Sequence, residues 1–142
     1  MRILKIFIIA FAILTVASCS SKTQPQPSLA GTWKITSAVG NDGRQWTGTF
    51  TLIEDDYGVN SYKGVFYWES VDGKSSGTDN VTGSYESVIK VLTLESQAIT
   101  GNIEKVTYNM NIAGNGTRMT GTWTGSSDGT VENPGKLTAS KQ

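Results

Sequence analysis

The chain has 142 residues, with 12 basic and 12 acidic side chains, one cysteine and no histidine. Without histidine, Ser-His-Asp and Cys-His hydrolysis, His-based zinc sites and a proximal-His haem are excluded. The balanced charge gives no electrostatic grip on nucleic acid or anionic lipid, and the length suits one domain rather than two.

Arg2 and Lys5 precede an almost unbroken apolar run from Ile6 to Ala17. At about 12 residues the run is shorter than the roughly 18–20 that a spanning helix needs, and small residues follow it, the layout of a cleaved secretory signal. The segment Val16-Ala17-Ser18-Cys19 resembles the bacterial lipobox, where signal peptidase II cuts before a lipid-modified cysteine. That resemblance implies a signal peptide over 1–18 and Cys19 as the acylated first residue of a membrane lipoprotein, palmitate being one such acyl group. An ordinary signal peptide with an incidental cysteine, or an uncleaved anchor, is the alternative. Ser20 stands where an aspartate would resemble the inner-membrane retention signal, so the expected location is the cell outer membrane, on its periplasmic or surface side. Lipidation also consumes the lone thiol, which removes thiol chemistry and iron–sulfur ligation. Loss of Arg2 and Lys5 with the signal leaves 10 basic against 12 acidic residues, a net charge of −2.

Ser20 to Ser28 contains Ser, Lys, Thr, Gln and Pro and no apolar residue. Residues 19–28 therefore read as a lipidated cysteine and an extended tether, standing the domain about 25–30 Å off the membrane. The domain is expected over 29–142.

From Leu29 onward Thr, Val, Ile and aromatics alternate with polar residues, and turn chemistry recurs every dozen or so positions, the pattern of an all-β meander. Trp33 and Ile35 alternate with Thr32, Lys34 and Thr36; Tyr62, Gly64, Phe66 and Trp68 share one face of a later segment. Val106, Tyr108, Met110 and Ile112 do the same, as do Met119, Gly121 and Trp123. Turns at Gly40-Asn41-Asp42-Gly43, Val71-Asp72-Gly73-Lys74, Gly114-Asn115-Gly116 and Ser127-Asp128-Gly129 supply the positive φ of tight hairpins. The spacing predicts strands near 31–38, 45–54, 61–70, 79–86, 88–95, 104–112, 117–125 and 135–140.

Glycine followed two residues later by a large apolar residue recurs, as at Gly48/Phe50, Gly64/Phe66, Gly83/Tyr85, Gly121/Trp123 and Gly135/Leu137. Such a glycine lets a strand bend sharply, or lets a ring pack over bare backbone. Its recurrence predicts a small antiparallel up-and-down barrel of about eight strands, which also removes edge strands. A two-sheet β-sandwich is the alternative.

Gly31-Thr32-Trp33 resembles the Gly-x-Trp that opens lipocalins and other calycin barrels. Thr47-Gly48-Thr49-Phe50 and Thr120-Gly121-Thr122-Trp123 look like avidin-type strands. The resemblance implies a lipocalin-like barrel in which Trp33 closes one end beneath a basic residue of the last strand, Lys141 first and Arg118 second. Thr78-Asp79-Asn80 only partly matches the lipocalin Thr-Asp-Tyr element. The avidin Trp-Lys strand is absent, so the resemblance does not extend to biotin.

Carboxylates are the remaining catalytic chemistry. Glu54-Asp55-Asp56 reads as a solvated strand end before Tyr57-Gly58, rather than half of a glycosidase pair. Asp72 to Asp79 lacks the alternating oxygen ligands of a calcium loop. No enzyme activity, metal or cofactor is expected.

Trp33, Phe50, Phe66, Trp68, Tyr85, Tyr108 and Trp123 are either the core itself or the lining of a ligand cavity; an eight-strand barrel allows both. Trp46, Tyr57, Tyr62 and Tyr67 read as more exposed. The expected function is an envelope barrel that binds a small apolar or amphipathic ligand. The alternative is a protein-binding module, such as a tethered hydrolase inhibitor or assembly accessory, using the loops at 55–61, 71–78 or 126–134. A small glycosidase-like enzyme is the third class. The expected partners are the bilayer and a small ligand or protein, not nucleic acid.

Overall fold

Alternation with a period of two decides which side of each strand faces inward, and turn residues decide where each strand stops. The computed structural model describes residues 25–125 and 134–142. The expected signal peptide, Cys19, the start of the tether and the turn at Ser127-Asp128-Gly129 lie outside the described residues. Eight strands follow in order: β1 (Gly31–Gly40), β2 (Trp46–Glu54), β3 (Ser61–Ser70), β4 (Ser76–Glu86), β5 (Val91–Gly101), β6 (Val106–Ala113), β7 (Arg118–Gly125) and β8 (Gly135–Lys141). Each pairs antiparallel with the next, and β1 pairs with β8 to close an up-and-down barrel. One continuous ladder of this kind leaves no second sheet among the described residues, so the fold is the barrel and not the sandwich.

Two irregularities shape the ladder. In β1 the register with β8 shifts between Ile35 and Ser37. Trp33 and Ile35 face inward before this bulge, Ala38 and Gly40 after it. In β5 the shift falls at Gln97, between Ser96, which pairs with Val81, and Ala98, which pairs with Asn80. Beyond it the wall divides: β5 stays on β4 as far as Gly101, but its pairing with β6 ends at Glu95 and Thr107. The backbone N–H of Val106 turns instead to Ser96 Oγ at 2.9 Å.

The fifth strand begins three residues later than the spacing predicts. Ser87 to Lys90 form the hairpin turn, with Lys90 at φ 58°, and Val88 and Ile89 are exposed on it. Two β-branched residues in a row carry the local signature of a strand even where the chain reverses.

Aromatic rings fill the barrel in a continuous stack. Trp33 lies on Phe50 (centroids 5.7 Å, planes 2° apart), Phe50 on Phe66 (4.2 Å) and Phe66 on Tyr108 (4.4 Å). Leu, Val and Met side chains from β2, β4, β5, β6, β7 and β8 complete the core.

Candidate functional site

The two ends of the barrel are built differently. At the end where β1 begins and β8 finishes, Leu29 plugs the opening and is fully buried. Its backbone is held from both sides: Trp33 Nε1 donates to Leu29 O at 3.0 Å, and Leu29 N donates to the Tyr62 hydroxyl at 3.4 Å. Lys141 stands opposite Trp33 in the ladder, with Nζ 5.8 Å from the Trp33 ring centroid, and donates to Ser28 O at 2.9 Å. Arg118, the second basic candidate, is exposed opposite Ser140. Gln26 and Ser28, expected in the tether, bind the same end through Asn60 (2.8 Å) and Glu54 (2.9 Å). Tyr62 is therefore buried, contrary to its expected exposure, because Leu29 covers it.

The other end contains a cavity of about 350 Å³. Trp46, Trp68, Tyr108 and Trp123 form its walls, with Ile103 and Val106 where β5 and β6 part. Arg44, Ser75, Asn102 and Glu104 place polar groups around it. Trp68 is the centre of the aromatic wall: Trp46 meets it edge-on (6.3 Å, 81°), Trp123 is tilted against it (5.9 Å, 55°) and Tyr108 lies parallel to it (6.4 Å, 8°). Asn102 fastens the β5–β6 connection, accepting from Ser76 N at 2.9 Å and donating to Lys74 O at 2.9 Å. The neighbouring β3–β4 turn is held by Ser70 and Ser75, and Arg44 reaches Ser75 Oγ at 3.5 Å.

Behind this wall lies a buried polar chain. Trp68 Nε1 donates to the Tyr108 hydroxyl at 3.0 Å, and Tyr108 donates to Asp79 Oδ2 at 2.8 Å. Ser96 Oγ donates to the same oxygen at 2.6 Å. Asp79 is fully buried, and its Oδ1 has no hydrogen-bond partner among the described residues. Burial pushes its carboxyl above the ordinary range, against the hydrogen bonds from Ser96 and Tyr108 and the charge of Lys105. Burial and the facing carboxylate push the Tyr108 phenol well above its ordinary value.

The seven aromatic candidates thus divide into groups. Trp33, Phe50 and Phe66 are completely buried in the stack, and Tyr85 is buried outside the cavity; Trp68, Tyr108 and Trp123 line it. Trp46, expected at the surface, belongs to the cavity because it leans on Trp68. Asp79 was legible as an inward position, since it shares the parity of Val81, Gly83 and Tyr85. A carboxylate at such a position reads as solvated until Ser96 and Tyr108 are placed beside it. Of the acidic cluster, Asp55 pairs with Lys63 at 3.3 Å and Glu54 accepts from Ser28.

No protein-family model matches the chain, and no curated protein does. Solved structures similar to it include the redesigned β-barrel mFAP1 bound to DFHBI, at 17% identity and TM-score 0.58, covering 80% of this chain and 94% of that one. The redesigned barrel mFAP0, also bound to DFHBI, is similar at 18% identity and TM-score 0.57, covering 80% and 98%. A third redesigned barrel, b11L5F_LGL, is similar at 20% identity and TM-score 0.56, covering 80% and 91%. At these identities the likeness is one of fold.

Proposed function

We propose that the barrel binds a small, flat, largely apolar ligand in the cavity at its open end, and that Cys19 anchors it by lipid to the outer membrane of the cell envelope. The observation that carries the ligand reading is the inequality of the ends. One is plugged by Leu29 and sealed by Trp33, Tyr62 and Lys141, whereas the other, among the described residues, keeps about 350 Å³ between three tryptophans and a tyrosine. That volume lies at the lower end of the range for small-molecule sites, which combine apolar walls with a few placed polar groups. Indole faces favour a planar molecule by stacking, and the Arg44 guanidinium at the cavity suits a ligand with a polar edge. The binding of DFHBI by barrels of similar fold supports the reading by analogy.

The anchoring reading rests on the amino-terminal segment: positive residues, a short apolar run, and Val16-Ala17-Ser18 before the lone cysteine. Multiple acyl chains anchor a protein stably.

Native mass spectrometry of the chain extracted gently from its own envelope tests the ligand reading. A small retained mass, lost on Trp123→Ala with the barrel still folded, is the expected result. A clean apo mass, together with no change of tryptophan emission across a panel of planar aromatic compounds, refutes it.

A further inference from the structure

We infer that the closed end of the barrel docks on the lipid bilayer through the tips of its β2–β3 and β4–β5 loops. The inference rests on the reading of Cys19 as the acylated residue.

Tyr57 and Val59 on the β2–β3 loop and Val88 on the β4–β5 turn are 94%, 92% and 85% exposed, more than any other large hydrophobic residue described. Ile89, beside Val88, is 64% exposed. The two loops belong to neighbouring hairpins joined by the β3–β4 ladder, and Tyr85 N donates to Asn60 O at 2.9 Å between them. Apolar side chains at hairpin tips contribute nothing to the core, and their exposure to water is unfavourable.

The position of the tether identifies what covers them. Gln26 is bound to Asn60 in the β2–β3 loop, Pro27 lies against Gly116, and Ser28 is bound by Lys141. The chain therefore leaves the barrel at the closed end, beside Tyr57 and Val59. Pro25, the first described residue, follows Cys19 by six positions, a reach of about 20 Å when fully extended. An acyl anchor on Cys19 holds this end, and not the open one, against the membrane. Tyrosine, with an apolar ring and a polar tip, suits the headgroup level, and Lys90 can extend its ammonium out of it.

Charge around these tips is mixed. Asp56 and Glu86 oppose Lys90 and Arg118, and Asp55 is paired with Lys63. Docking is therefore apolar and does not require anionic lipid. It turns the cavity mouth away from the bilayer, so ligand exchanges with the aqueous side.

The test uses the full acylated chain reconstituted into phosphatidylcholine vesicles. With the Cys19 sulfur blocked by lipid, Val59→Cys or Val88→Cys supplies the single free thiol for an environment-sensitive fluorophore. Val71→Cys, on the open-end β3–β4 turn, is the control. Probes at 59 and 88 are expected to shift to the blue, to be quenched by spin-labelled lipid and to gain severalfold protection from iodide, and the probe at 71 to do none of these. Val88→Asp should abolish the protection at 59. Probes at 59 and 88 as open to iodide as the one at 71, on a chain whose intact mass includes its acyl groups, overturn the docking alone. An intact mass without acyl groups overturns the anchoring, and the docking with it.

Discussion

Tyr108 and Asp79, from strands that are not neighbours, meet inside the barrel: the phenol donates to Asp79 Oδ2 at 2.8 Å behind the cavity wall. The same hydroxyl accepts from Trp68 Nε1 at 3.0 Å, so one oxygen ties an indole of the cavity to a buried carboxyl. Tyr108→Phe keeps the ring stack with Phe66 but leaves the Trp68 N–H without this acceptor and Asp79 with one donor fewer. The expected loss is about 2–3 kcal/mol, the cost of buried polar groups deprived of partners, read from urea unfolding. A Trp68 emission change in the folded variant would show that the indole is released. An unchanged urea midpoint would mean that the hydroxyl holds nothing in place.

Asp79 makes stability depend on pH in an unusual direction for a carboxylate. Its folded pKa is raised, chiefly by burial. Between the ordinary aspartate value and that raised value the folded state holds more protons than the unfolded one, so stability falls as pH rises. The contribution is fully present below the ordinary value, and is lost as pH climbs through the folded one. Asp79→Asn should remove this dependence, so that the variant gains on the parent as pH rises from about 4. Asp72, exposed and lowered by hydrogen bonds from Ser70 and Lys74, is common to both chains and cancels in the difference. Parallel pH–stability profiles of the two proteins would contradict the assignment.

Strand boundaries were legible where two independent signals agree; β4 begins at Ser76 and β5 runs on to Gly101, beyond the expected 79–86 and 88–95. Period-2 alternation gives the inner face, and Gly-, Asn- or Asp-rich turns end it, as at Gly73 and Gly116 with positive φ. The β4–β5 turn lacks that chemistry: it is Ser87-Val88-Ile89-Lys90, and Lys90 alone takes positive φ. The site was legible in kind, as aromatic residues of the inner face, but not in membership. Trp33 and Trp123 occupy equivalent inward positions, and only the Leu29 plug assigns Trp33 to a sealed end. Trp46 shares the inward parity of Phe50 and Leu52, so its side of the sheet was legible, but its place in the cavity depends on Trp68 from β3.

The division of aromatics into core and cavity predicts different consequences for the same truncation. Trp33 is fully buried and stacked on Phe50, so Trp33→Ala should cost about 3–5 kcal/mol. Trp123 borders existing empty space, so Trp123→Ala should cost less in urea unfolding. Ligand binding should show the reverse order when the folded variants are titrated: lost with Trp123→Ala and retained with Trp33→Ala. Equal effects on both measurements would erase the distinction between the two ends.

Gly135 makes room for the Trp123 ring from the next strand, whereas at Gly48, Gly64, Gly83 and Gly121 a Cβ would meet a neighbouring strand's backbone carbonyl. Gly135 and Trp123 stand opposite in the β7–β8 ladder, and a Cβ on Gly135 would enter the Trp123 ring and crowd the Val39 carbonyl. Bare backbone is what leaves room for the indole edge against β8 at the cavity wall. Gly135→Ala should therefore cost about 1–3 kcal/mol by overpacking and push the indole toward the cavity, lowering ligand affinity along with stability. Restoring ring space with the double variant Gly135→Ala, Trp123→Phe should recover part of the stability, the Val39 carbonyl still being crowded. Recovery marks a steric conflict between these two residues, because a general weakening of β8 would persist in the double variant.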